Sequence, residues 1–139
     1  MQLTRHTDYS LRVLMYLALR DGGLVTIAEI ANCYGISRNH LMKVANKLAA
    51  LGYVETIRGR QGGLRLARAA ETISVGQVVR EMERNLEVVD CVGTACPLLP
   101  DCRLRSALHE ATDAFLRTLD RYSLANLAQS KERLLRLIG

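Results

Sequence analysis

The chain has 139 residues, 49% of them apolar, four cysteines and a formal net charge of +5. That length buries enough surface to fold without cross-links, and no apolar run is long enough to span a bilayer. With no charged-then-apolar leader, these totals point to a soluble cytoplasmic protein with reduced thiols, which disfavours a disulfide scaffold and turns the cysteines toward metal or redox chemistry. The charge is unevenly placed. Residues 1–70 hold 10 Lys and Arg against 4 Asp and Glu, whereas residues 71–139 hold 9 against 10. A polyanion partner is therefore expected for the first half, and a different task for the second.

In chain order, "DYSLRVLMYLALRDGG" reads as a largely buried helix over 8–23, closed by Gly22 and Gly23. In "TIAEIANCYG", Thr26 and Glu29 have capping-box spacing, and Gly35 ends the short helix. Ser37 caps the next helix, "SRNHLMKVANKLAALG", whose Leu41, Val44, Leu48 and Leu51 share one face. "YVETI" and "LRLA" read as strands joined by the glycine-rich turn "RGRQGG". Ser74 caps "VGQVVREMER". The segment "CVGTACPLLPDC" is too proline-rich to be regular. A long helix runs from about Arg103 to about Asp120, with Leu104, Leu108, Ala111, Phe115 and Leu119 in a narrow apolar seam. "SLANLAQSKERLLRLI" reads as one final helical stretch capped by Ser123.

The fold class is therefore mainly α: a winged helix-turn-helix with a two-stranded β wing over 1–82, a cysteine loop over 83–102, and a long dimerisation helix with a C-terminal helix over 103–139. In such a module the second helix sets its first residues against base edges in the major groove of double-stranded DNA. Here those are Ser37, Arg38, Asn39 and His40, with Lys43 one turn on. Arg reads guanine and Asn reads adenine through paired hydrogen bonds. Arg58, Arg60 and Gln61 stand at the wing tip, where they reach phosphates or a minor groove, and Gly59, Gly62 and Gly63 let the backbone come close. Such modules bind as dimers, and the seam from Leu104 to Leu119 is the expected homodimer contact.

Cys91, Cys96 and Cys102 lie in one twelve-residue loop, which is expected to present all three thiols to one point. Pro97 and Pro100 stiffen it. Thiolates suit zinc or iron–sulfur centres, and the spacing leaves the metal open. Cys33 reads as a small buried hydrophobe. Asp8 reads as a helix-start charge that can pair with Arg12 four residues on. None of His6, His40 and His109 has an evident nucleophile or acid–base partner nearby in the sequence, so an enzyme is not expected.

Three segments, "LTRHTDYSLRVLMYLA", "ISRNHLMKVANKLAALGYVETIRGRQGGLRLAR" and the cysteine loop, resemble the iron–sulfur winged-helix repressors typified by IscR and NsrR. The cysteine spacing and the tail "FLRTLDRYSLANLA" fit the nitric-oxide-sensing branch best. IscR-type proteins carry a histidine three residues after the last cysteine, where this chain has Arg105, and His109 comes too late for that motif and reads as a surface residue. The resemblance implies a cluster, [4Fe–4S] or else [2Fe–2S], held by the three cysteines and by Asp8 of the partner subunit. From that ligand set a switch is expected between ligation by Asp8 and pairing with Arg12 on the same helix, with operator DNA released when nitric oxide attacks the cluster. The alternative is a repressor without a cluster, its loop holding zinc or bare thiols, that senses oxidants or a cysteine metabolite. A small electron-transfer protein whose basic half docks an acidic partner is a third class.

Overall fold

The computed structural model describes residues 1–139. Helix α1 (Arg5–Leu19) is capped by Thr4, whose hydroxyl accepts the Thr7 amide, and it begins three residues before the start read from the sequence. Helices α2 (Ile27–Tyr34) and α3 (Arg38–Ala50) follow. The Thr26–Glu29 capping box and the Ser37 cap both form as expected. Between them Gly35 takes φ +63°, a left-handed turn that opens the angle between the two helices. Strands β1 (Val54–Ile57) and β2 (Gly63–Leu66) pair antiparallel, Val54 opposite Leu66 and Ile57 opposite Gly63. Val25 adds a third rung through a bridge to Leu64, with both backbone hydrogen bonds made.

Helix α4 (Val75–Met82) is capped by Ser74 and ends two residues sooner than its sequence implies, because Glu83 leaves in extended backbone. The loop then turns into α5 (Arg103–Asp120), α6 (Leu124–Leu127) and α7 (Lys131–Ile138). The single helix expected after Ser123 is thus two. Ala128 bonds back to Ala125 and Leu124, Gln129 to Asn126, and the tightened turn re-aims the chain at Ser130. This bend lets Leu124 enter the core while α7 lies along α1.

One core joins α1, α2, α3, the wing base, α4 and α6. Leu14, Leu17, Ile30, Leu41, Leu48, Ile73 and Leu124 are all buried in it. Tyr53 is fully enclosed, and its hydroxyl donates to Glu81 Oε2 at 2.5 Å. Burial, and then this carboxylate, push the phenol well above its ordinary range. Arg68 stacks over the ring at 4.2 Å. Tyr53→Phe removes one hydrogen bond to a charged acceptor and should cost about 1–2 kcal/mol. A urea-midpoint shift smaller than the scatter between repeat titrations would contradict that.

Helix α5 is tied to α4 by paired hydrogen bonds from Arg80 to Asp120 at 2.5 and 2.8 Å. The guanidinium lowers the Asp120 carboxyl below its usual range. Of α5, only Leu116 is buried. No helix is long and apolar enough to cross a membrane.

Candidate functional site

Every residue expected to read DNA at the start of α3 is exposed: Ser37, Arg38, Asn39, His40 and Lys43. The opposite face, Leu41, Val44, Ala45 and Leu48, is buried against α1 and α2, and this fixes which way the polar face points. Ser37 accepts the His40 amide at 3.2 Å, so its hydroxyl is engaged as the helix cap.

The wing divides its charges. On its shaft Glu55 and Arg65 stand opposite each other in register and form an ion pair. At its tip Arg58, Arg60 and Gln61 are exposed, and neither arginine is in an ion pair. Gly59 takes φ +116°, which only glycine adopts readily, and its carbonyl accepts the Gly62 amide at 3.1 Å. Gly63 has an internal role: a Cβ there would lie 2.7 Å from the Val25 carbonyl oxygen. Its missing side chain serves the Val25–Leu64 bridge at the wing base.

Asp8 and Arg12 pair on α1 at 2.9 Å, and both are more than two-fifths exposed. An exposed i,i+4 pair is worth only about 0.3–0.5 kcal/mol, so a stronger partner can take the carboxylate away. Arg12 also lies 5.7 Å from the ring centre of Tyr34 on α2. Its hydrogen bond to Asp8 raises the guanidinium further, while burial raises the Tyr34 phenol. Next to Asp8, Tyr9 packs its ring 6.2 Å from that of His40. One turn of α1 thus touches both helices of the reading head. The sequence reading missed Tyr9 and Tyr34, because contacts between helices leave no period in the chain.

The loop opens with a turn in which Asp90 accepts the Gly93 amide at 2.6 Å, and Thr94 donates to the Asp90 carbonyl. The Cys96 amide then bonds to the Cys91 carbonyl at 3.2 Å, folding those two cysteines into one turn. Ala95, between them, has φ +48°. Cys102 is the N-cap of α5, and its side chain makes no capping bond. All four cysteines are free and half-buried, including Cys33, which packs at the core edge and is not enclosed.

The expectation that the loop presents three thiols to one point is not met within one chain, where no three His, Cys, Asp or Glu side chains are gathered closely enough to hold an ion. Neutral thiols have no mutual attraction, and such ligands are drawn together by the metal they bind. The donor set itself fits a soft iron–sulfur centre: three free thiols within twelve residues, one of them at the start of α5. His109, expected on the surface, is exposed and also lines a groove of about 230 Å³ with Cys91 and Arg105.

The seam on α5 is uncovered in the single chain. Leu104 is 66% exposed, Ala111 is exposed, and Leu108, Phe115 and Leu119 are half-buried. Phe115 and Ala111 also line an apolar hollow with Leu3, Leu86 and Val88.

Residues 3–130 match the Rrf2 family model, described as an iron-dependent transcriptional regulator. The chain is 51% identical to the HTH-type transcriptional regulator NsrR of Geobacillus kaustophilus (strain HTA426), over 99% of this chain and 97% of that protein. It is 49% identical, with the same coverage, to the NsrR regulator of Halalkalibacterium halodurans. Among solved structures it resembles T. potens IscR, with a TM-score of 0.73 and 25% identity over 96% of this chain and 90% of that one.

Proposed function

The chain belongs to the Rrf2 family of iron-dependent transcriptional regulators, and from that premise we propose that it is a homodimeric repressor whose [4Fe–4S] cluster senses nitric oxide. It is a DNA-binding regulator and not an enzyme. The observation that carries the finer reading is the half-exposed Asp8, held only by Arg12 on a helix turn that also touches the reading head.

Cys91, Cys96 and Cys102 would hold the cluster, with Asp8 of the partner subunit as fourth ligand and [2Fe–2S] the other nuclearity such thiols accept. When bound, the cluster supplies iron that nitric oxide attacks. The chain's own residues do the rest. A carboxylate is a weaker partner than thiolate for a soft centre, so Asp8 would be the weakest of the four ligands. Away from the cluster it would pair with Arg12, as it does in the single chain, and Arg12 and Tyr9 bear on Tyr34 and His40. On DNA, Arg38 and Asn39 face base edges, His40 and Lys43 stand beside them, and Arg58, Arg60 and Gln61 with Gly62 hold the backbone. Leu104, Leu108, Ala111, Phe115 and Leu119 join the two protomers.

The test is an anaerobic preparation followed by absorbance, iron assay and gel shift before and after nitric oxide. We expect brown protein with about four irons per chain, a retarded operator band, and loss of both colour and band on exposure. Colourless, iron-free protein that still leaves DNA when given the gas would refute the reading. Asp8→Ala should bind less iron and respond differently to nitric oxide, and an unchanged spectrum and response would remove Asp8 from the ligand set.

A further inference from the structure

Asn39, Lys43 and Lys47 follow one another at intervals of four on α3, so they form one stripe along its exposed face. The stripe runs into a groove of about 820 Å³. Its other walls are Thr4 and His6 from the start of α1, and residues 81–85 where the chain leaves α4. The groove holds charges of both signs, but only the acids are engaged. Glu83 Oε1 accepts the Thr4 amide at 2.7 Å and the Thr4 hydroxyl at 3.1 Å. Glu81 accepts the Tyr53 hydroxyl, and it accepts the Gln77 amide at 3.1 Å. Lys43, Lys47 and Arg84 are exposed, and none is in an ion pair. Ordinary solvated cations need no concave setting and no shared stripe with a base-reading residue. Free cations from two elements, converging on a groove that continues the reading helix, match a run of phosphates.

We propose that this groove is a second contact with the DNA backbone, reaching from Lys43 and Lys47 to Arg84, and this rests on the DNA-binding reading above. Arg84 belongs to neither the helix-turn-helix nor the wing. It is the second residue beyond α4 and lies seven before Cys91. The segment that leads into the thiol loop therefore grips the same duplex that α3 reads. The Glu83–Thr4 hydrogen bonds set its position against the start of α1. A shift of the loop is then felt directly as a lost phosphate contact, without passing through the reading helix.

The test uses the full chain and the duplex that the wild type selects from a random-sequence pool, with affinity measured across a salt series. Lys47→Ala and Arg84→Ala should each flatten the log–log salt slope by about 0.9 and leave base preference unchanged. Arg84→Lys should restore the slope, and Arg133→Ala, an exposed cation on α7, should keep it. Thermal melts show that each variant is folded. A wild-type slope in folded Arg84→Ala overturns the proposal. So does a changed base preference, which would mean that Arg84 acts by positioning α3. A wild-type chain that selects no duplex at all sinks the DNA-binding reading instead.

Discussion

Gly63→Ala is expected to lower the melting temperature by about 7–14 °C and to abolish operator binding with it. The three atoms nearest the added Cβ would all be Val25 backbone: the carbonyl oxygen at 2.7 Å, the carbonyl carbon at 3.0 Å and the amide nitrogen at 3.1 Å. Backbone cannot swing away as a side chain can, so strand β2 must part from residue 25. That strains or breaks the Val25–Leu64 pair, whose two hydrogen bonds are 2.9 and 2.7 Å long. Val25 and Leu64 are 1% and 2% exposed, so water cannot replace the lost partners. Each unsatisfied group costs about 1–3 kcal/mol, and we expect a total of roughly 2–4 kcal/mol. Because the bridge anchors the wing, Arg58 and Arg60 lose their fixed position as well. A melting temperature within about 2 °C of wild type would show that the backbone yields without breaking the bridge.

Cys102→Ser is expected to reduce bound iron to background in anaerobic protein while the metal-free form melts higher. The two effects have different causes. Serine keeps the side-chain shape but, with its proton in place at neutral pH, is a poor ligand for a soft centre. At the same position, Cys102 has extended backbone and makes no capping bond to α5. A serine hydroxyl there can accept a first-turn amide, worth about 0.5–1 kcal/mol. Calorimetry of the metal-free proteins, beside an iron assay of the anaerobic ones, separates the terms. Full iron retention would place the cluster elsewhere. A lower melting temperature without iron would show that the thiol is needed for the fold.

The capping residues Thr26, Ser37, Ser74 and Ser123 were legible in the sequence, and so were the two strands of the hairpin and the glycine turn between them. Each rests on groups no more than a few residues apart. The start of α1 was misplaced because Thr4 was passed over, and its cap is also held from outside by Glu83. The final helix was read as one because its apolar spacing continues through Gln129, whereas the bend there follows from how Leu124 and α7 meet the core. The thiols could be recognised as a set from spacing, but spacing does not tell how a loop closes, and within one chain no three ligating side chains are gathered into one site.

By itself, the order of residues determined which segments are helices, which face of α3 is polar, where the basic half lies and which loop carries the thiols. Hydrogen-bond caps, apolar period and charge count act between neighbours a turn or less apart. Only the tertiary structure decided that Tyr9 meets His40, that Arg12 lies by Tyr34, that Glu83 holds Thr4 across 79 positions, and that Arg84 shares a groove with Lys43 and Lys47. Those pairings depend on the angles at which α1, α3 and α4 stack around one core, and stacking angles are set by close packing among many side chains at once.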